Sequence, residues 1–215
     1  MNYPVIIVGM LLAYLIGAIP TAVWVGKWFY GKDVRDFGSG NAGATNTFRV
    51  LGKKAGSFVM AFDTFKGFLA TSLPIFLSKN AFILPENVVY FQLIFGVFAV
   101  LGHIFPIYVG FRGGKGVATV LGMVLALHLG ASLGAIGVFV GVLLAFRYVS
   151  VGSMSAAVSF PLSLAFVPAF KQENPTLLVF SIIIALLIIW THRTNITKLR
   201  NGTENKANLF SKKVA

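Results

Sequence analysis

The 215-residue chain is 57% hydrophobic, only 11% of its residues are charged, and its formal net charge is +12. A soluble domain carries roughly 25% charged residues, so a water-soluble fold is excluded and one membrane-embedded domain is expected over residues 1–200, followed by a polar, basic C-terminal tail over 201–215. The absence of cysteine excludes disulfides and thiolate metal sites, and the positive charge reads as basic loops facing anionic lipid rather than as a nucleic-acid surface.

Spans are expected where about 20 mostly apolar residues run together. The first covers 4–25. No basic region precedes it and no small-residue cleavage site ends it, so it reads as a retained helix rather than a secretory signal. The second, 57–77, carries Asp63 and Lys66, and the third is 88–109. Residues 116–146 are too long for one straight span and short for two. Charge parity decides between the two. With a break near "HLGAS", the loop 27–54, the loop "GFRGGKG" (110–116), Arg147 and the tail from His192 all fall on one side. Of the 18 Lys and Arg residues, only Lys79 and Lys171 then face the other side, with Lys66 inside a span. Positive residues favour the cytoplasm. The expected architecture is an all-α integral membrane protein with seven transmembrane helices, N-terminus outside and C-terminus cytoplasmic. Its last three spans are 131–146, 150–170 and 175–190. No internal repeat or low-complexity segment stands out, and the tail beyond Asn201 reads as loosely ordered.

This orientation gathers the polar clusters on the cytoplasmic side: "GSGNAGATNTFR" (38–49), "GFRGGKGVAT" (110–119), "RYVSVGSMS" (147–155) and "THRTNITKLRNG" (191–202). "DTFKG" and "GHIFP" lie in the cytoplasmic halves of the second and third spans. Glycines let backbone N–H groups approach a ligand, and concave runs of N–H groups or helix N-termini bind anions. Ser39, Thr45 and Thr47 add hydroxyls, Asn41 and Asn46 add amides, and Arg49, Arg112 and Lys115 add positive charge suited to phosphate. The sum is a phosphate-binding site at the membrane surface. Asp63 is the only acid inside a span, with Lys66 three residues on along the same helical face; such buried charges pair or serve function.

Structural readings stand beside these. The 38–49 stretch can turn the chain, "GFRGGKG" can anchor a turn by its cations, and Asp63 with Lys66 can be a structural pair. His103 can be an interfacial histidine, and "WTHRTN" an aromatic and basic anchor, although His192 and Asn195 share a face at i, i+3. "GFRGGKG" is not a Walker loop, since Gly116 stands where Ser or Thr must follow the lysine. Three scattered histidines and one intramembrane acid do not make a metal site, and no serine has an evident base oriented by an acid. The His-x4-Asp pattern of many glycerolipid acyltransferases is absent: Tyr108, Leu133 and Thr197 stand five residues after the three histidines. The two-metal aspartate motif of membrane alcohol phosphotransferases and the Lys-x6-Arg-Pro signature of membrane phosphatases are absent too. A transporter for a phosphorylated solute remains an alternative of a different class, against which the outer halves of the spans are almost wholly apolar.

"GSGNAGATNTFRVLGKKAG", "DTFKG", "GHIFPIYVGFRGGKGVAT" and "HRTNI" together resemble, in order and spacing, the motifs of the bacterial acyl-phosphate:glycerol-3-phosphate acyltransferase (PlsY) family; "RYVSVGSMS" matches more loosely. The resemblance runs over nearly the whole chain. It implies a multi-pass enzyme of the bacterial cytoplasmic (inner) membrane that moves a fatty acyl group from acyl phosphate to the 1-hydroxyl of glycerol 3-phosphate. The implied products are lysophosphatidic acid and phosphate, in the first acylation step of phospholipid synthesis. It implies no cofactor, no metal and no protein acyl intermediate, with acyl phosphate supplied by a soluble synthase. By the same resemblance Ser39, Arg49, Lys115, His192 and Asn195 are the catalytic set, binding glycerol 3-phosphate and the reacting phosphate. Gly38, Gly40, Asn41, Gly43, Thr45, Asn46, Gly113, Gly114 and Ser153 would bind substrate. Asp63, Lys66 and His103 would support the site.

Overall fold

The computed structural model describes residues 1–171 and 174–207, and every regular element among them is helical. They fall into two compact units, Met1–Leu129 and Gly130–Ala215.

In the first unit, α1 (Tyr3–Ala18) opens on Asn2, whose side chain accepts from the Val5 N–H at 3.3 Å. The expected first span does not continue straight. Pro20 has no N–H and drives the residue before it out of the helical region, so α1 stops and α2 (Thr21–Tyr30) restarts at a 42° bend. α3 (Ala44–Leu51) and α4 (Lys53–Lys79) are separated only by Gly52, which takes φ +90°. α5 (Val88–Ile104) ends before Pro106 and passes into a 3-10 turn, Ile107–Val109. α6 (Val117–Leu127) follows Gly116 at φ +80°.

Packing in this unit is set by small residues. A side chain at Gly17 would strike Ala99 backbone, and one at Gly102 would strike Tyr14, so α1 and α5 approach closely. Gly67 against Thr119 and Gly122 against Thr64 do the same for α4 and α6. Helices surrounded by lipid gain little from the hydrophobic effect and associate through such close contact. Phe95, Ile6, Ala13, Ala70, Ile83 and Ala99 form one buried cluster. A second, with Ala22, Val23, Val34, Ala42, Ala55 and Val59, underlies the 38–49 loop.

The second unit contains α7 (Leu129–Phe146), α8 (Val149–Phe166), α9 (Thr176–Thr191) and α10 (Arg193–Arg200). α8 packs on α9, and Gly152 of α8 faces the Phe139 ring of α7. The break expected near "HLGAS" falls at His128, which is extended (φ −155°) and leaves α6 and α7 as separate helices. α9 and α10 meet at His192 with a 54° bend.

Among the described residues, the helical stretch Pro85–Val109, α7 and α8 are each long and apolar enough to cross a membrane, and the two bent pairs raise the number to five if each is one span. α4 has the length but carries Asp63 and Lys66. α6 is apolar but has 11 residues, about 16 Å of helix.

The tail departs from expectation. Its described part, 201–207, is tied down: the Thr203 N–H donates to Lys198 O at 2.8 Å and the Ala207 N–H to Arg147 O at 2.6 Å. Residues 208–215, with Lys212 and Lys213, lie outside the described residues.

Candidate active site

The 38–49 stretch forms a cradle that ends on a helix. Gly38 (φ +63°) and Gly40 (φ +71°) adopt left-handed backbone that other residues resist. Extended Gly43 starts α3 without a side chain to cap it, and the first bond back into the helix is Thr47 N–H to Gly43 O. The N–H groups of the first turn are thus offered to a ligand, at the positive end of the helix. Ser39, Gly40 and Thr45 are exposed around this turn, and Asn41 and Gly43 are half-buried. Arg49 is exposed at the other end of α3 and lays its stem beside Gly38, where an added Cβ would sit 3.4 Å from Arg49 Cδ.

Asn46 does something other than bind. It is 1% exposed. Its amide donates to Val34 O (2.7 Å) and Phe37 O (3.1 Å), and its oxygen accepts the Ser39 N–H (2.8 Å). The side chain expected to hold substrate is spent on holding the loop's shape. A Cβ at Gly38 would collide with that same amide oxygen.

The second glycine motif lies against the first. Gly113 and Gly114 donate their N–H groups to Ile104 O (3.1 Å) and His103 O (3.2 Å), folding the loop onto the end of α5. A Cβ on Gly114 would strike the His103 ring and come within 3.2 Å of Ala42 O, in the cradle itself. Lys115, the next residue, is therefore carried to the cradle's edge, half-buried. A clasp holds the two loops together. Arg35 donates to both oxygens of Asp33 (Nε 3.0 Å, Nη2 2.7 Å) and through Nη1 to Val109 O (2.9 Å). Lys27 adds an ion pair to Asp33 at 3.3 Å. The Arg35 guanidinium holds the Asp33 carboxyl well below the usual carboxylate range.

Beneath the loops, Asp63 and Lys66 pair at 2.7 Å, 1% and 2% exposed. Thr21 Oγ1 donates to Asp63 (2.9 Å), His103 Nδ1 stands 3.8 Å from the same oxygen, and Lys66 donates to Ile19 O (2.7 Å). Ile19 O is one of the carbonyls the break at Pro20 leaves outside the helical ladder. The network joins the α1–α2 break, α4 and α5.

In the second unit, His192 is buried and its Nδ1–H donates to Ile188 O at 2.8 Å. Because a carbonyl only accepts, that bond places a proton on Nδ1. Ser153 returns its hydroxyl proton to Val149 O (2.9 Å). Ser150, in the same motif, instead shares a partner with Asn195: Ser150 Oγ donates to Glu204 at 2.8 Å and Asn195 Nδ2 at 2.7 Å. Ser150, Glu204 and the Arg35 clasp are not among the residues that the sequence singles out. The Asn-Gly pair closing α10 was the one local signal that the tail turns back.

Taken on fold and site alone, the protein is a helical one with apolar helices long enough to cross a membrane and a glycine-built cradle at a helix N-terminus, with an arginine and a lysine beside it. A sequence model of the family described as glycerol-3-phosphate acyltransferase matches residues 7–202. The chain is 47% identical over 196 residues to a glycerol-3-phosphate acyltransferase of Listeria monocytogenes serotype 4a, covering 91% of this chain and 93% of that one. It is 42% identical over 201 residues to one of Staphylococcus haemolyticus, at 94% and 97% coverage. It is also similar to the crystal structure of PlsY (YgiH), an integral membrane glycerol 3-phosphate acyltransferase. The glycerol 3-phosphate form aligns at TM-score 0.78 and 39% identity, the lysophosphatidic acid form at 0.76 and 37%, each covering 94% of both chains. The chain belongs to the glycerol-3-phosphate acyltransferase family.

Proposed function

We propose that this chain transfers a fatty acyl group from acyl phosphate to the 1-hydroxyl of glycerol 3-phosphate, at the cytoplasmic face of a bacterial membrane that it spans seven times. The observation that carries this reading is the pairing of two glycine loops around the uncapped start of α3, with Arg49 and Lys115 beside them. Both substrates carry phosphate, and backbone N–H groups with two cations suit that charge. Arg35 and Asn46 shape the cradle, and Asp63, Lys66 and His103 buttress it.

Acyl phosphate is a mixed anhydride, so the glycerol hydroxyl can attack its carbonyl carbon directly. The carbon–oxygen bond to phosphate then breaks and inorganic phosphate leaves with the electron pair. A substrate phosphate oxygen takes the hydroxyl proton, since a phosphate dianion titrates near neutrality. The protein's share is positioning and charge stabilisation: Ser39, the cradle N–H groups, Arg49 and Lys115 act on phosphate, and His192 and Asn195 on glycerol 3-phosphate. No residue carries the acyl group. A soluble synthase supplies the donor.

The test is stoichiometry. Purified protein given palmitoyl phosphate and glycerol 3-phosphate should release one phosphate per 1-acylglycerol 3-phosphate formed. Phosphate release without acylated product, or acylation at the 2-hydroxyl, would contradict the reading.

A further inference from the structure

α2 carries the cradle on one face and leaves its last turn uncovered. Ala22, Val23 and Val25 cluster with Val34 and with Ala42 of the cradle, and Gly26 lets the chain return so closely that an added Cβ would strike Lys32 O. Every residue of Lys27–Tyr30 is exposed, Trp28 at 69% and Phe29 at 76%. Trp28 stacks on Trp24 with ring centroids 5.0 Å apart, and Trp24 meets Tyr108 at 5.9 Å, so the turn after α5 extends the same surface. Phe111 in that turn is exposed and stands at φ +59°, left-handed backbone that glycine takes freely and a bulky residue seldom does. Cations border the aromatic rings. Lys32 Nζ lies 5.8 Å from the Phe37 ring centroid, and Arg112 is exposed. Over 27–37 and 107–112, Lys27, Lys32, Arg35 and Arg112 stand against Asp33 and Asp36, and Asp33 is already engaged by Arg35 and Lys27.

We infer that the last turn of α2 and the turn after α5 form an anchor for the headgroup layer of anionic phospholipid, and so set the depth of the cradle in the membrane. Two other surroundings fail. Water would face a contiguous aromatic surface, which soluble proteins keep small. Hydrocarbon would surround Lys27 and Lys32, which flank the aromatic residues in the chain, and unpaired charges are rare at that depth. Length points the same way. Tyr3 to Tyr30 as one straight helix would run about 42 Å, against a hydrocarbon core of ~30 Å. α1 alone, with 16 residues, accounts for about 24 Å, and the 42° bend at Pro20 then turns α2 away from the span. Tryptophan and tyrosine favour the headgroup level because one part of each is apolar and another hydrogen-bonds. Lysine and arginine reach lipid phosphate from the same level on apolar stems. Since the buried face of α2 packs against Val34 and Ala42, anchoring this helix ties the cradle to the same depth.

The experiment reads the depth of Trp28 in the full-length chain. The tryptophans are Trp24, Trp28 and Trp190, so Trp24→Phe with Trp190→Phe leaves Trp28 as the sole reporter. The protein is placed in phosphatidylcholine vesicles whose chains are brominated either near the headgroup or near the chain ends. Trp28 should be quenched more by the shallow bromine than by the deep one, and only weakly by acrylamide in the water. Replacing about a third of the lipid with phosphatidylglycerol, which makes the surface negative, should lower acrylamide quenching about twofold. Lys32→Gln with Arg112→Gln should abolish that response. Stronger quenching by the deep bromine would put α2 in hydrocarbon, and strong acrylamide quenching with none from either lipid would put it in water; each overturns the inference. A shallow signal indifferent to phosphatidylglycerol overturns the anionic headgroup as partner. If the tryptophan variants do not fold, a nitroxide on Phe29→Cys, the only thiol such a chain would hold, replaces them. Its relaxation by oxygen against a water-soluble nickel chelate must then place it at headgroup level, and a position in hydrocarbon or in water overturns the inference equally. Neither readout depends on acyl transfer, so the proposed function stands or falls separately.

Discussion

Lys115 and Arg49 bring positive charge beside the cradle from two different elements, the loop after α5 and helix α3, so each should matter separately. Lys115 follows two glycines that leave no room for side chains beside His103 and Ala42, and its position is set by backbone. Lys115→Ala should lower turnover by about 10²–10³-fold, the scale of a lost charge-stabilising group, with an unchanged melting temperature. Near-normal activity would remove it from the site. Asn46 predicts the opposite pattern. Asn46→Ala removes the side-chain bonds to Val34 O and Phe37 O, which keep only their backbone donors, and takes the acceptor from the Ser39 N–H. It should cost about 2 kcal/mol of stability, read as a lower melting temperature alongside lost activity. The contrast shows what residue type can disclose. A cation beside glycines announces its charge wherever it sits, so the sequence marks Arg49 and Lys115 as candidates. An amide does not announce whether it faces ligand or backbone, and Asn46 finds its partners seven, nine and twelve residues away. Ser150 and Ser153 share one motif, and only the placement of the tail tells them apart.

At the scale of elements, the site depends on two loops being clasped. Asp33 and Arg35 join the 38–49 cradle to the turn after α5. The folded-state pKa of Asp33 is depressed. Its contribution is therefore complete above the ordinary carboxylate value and is lost as pH falls through the folded value. Asp33→Asn should lower the melting temperature at pH 7. The gap between variant and wild type should hold constant down to about pH 4 and close only in stronger acid. A gap that closed between pH 8 and 5 would mean that another group controls the clasp. The helices themselves were readable from their apolar runs: α4, α7, α8 and α9 begin and end within a few residues of expectation. The bend at Pro20 was not drawn, although a proline within an apolar run carries that signal. Its position matters because the carbonyl it exposes, Ile19 O, is what buried Lys66 binds.

At the scale of the whole molecule, orientation rests on charge. With no native cysteine, single replacements report sidedness directly. Lys32→Cys and Asn201→Cys should react with an impermeant maleimide only from the cytoplasmic side of oriented vesicles, and Asn80→Cys only from the outside. The reverse pattern would invert the topology, and labelling of Asn80→Cys with Lys32→Cys from one side would remove a span. Composition alone revealed a membrane protein, because a chain with so few charges has no soluble alternative. The expectation of seven crossings rests on the parity of basic loops alone, since α6 is too short and α4 too polar to count as candidate spans by length and composition. The central claim is that the cradle around α3 receives the phosphate of an acyl phosphate donor. The most direct measurement offers purified protein glycerol 3-phosphate with either palmitoyl phosphate or palmitoyl-CoA and follows lysophosphatidic acid. The account predicts product with palmitoyl phosphate alone. Product from palmitoyl-CoA at a comparable rate would contradict it.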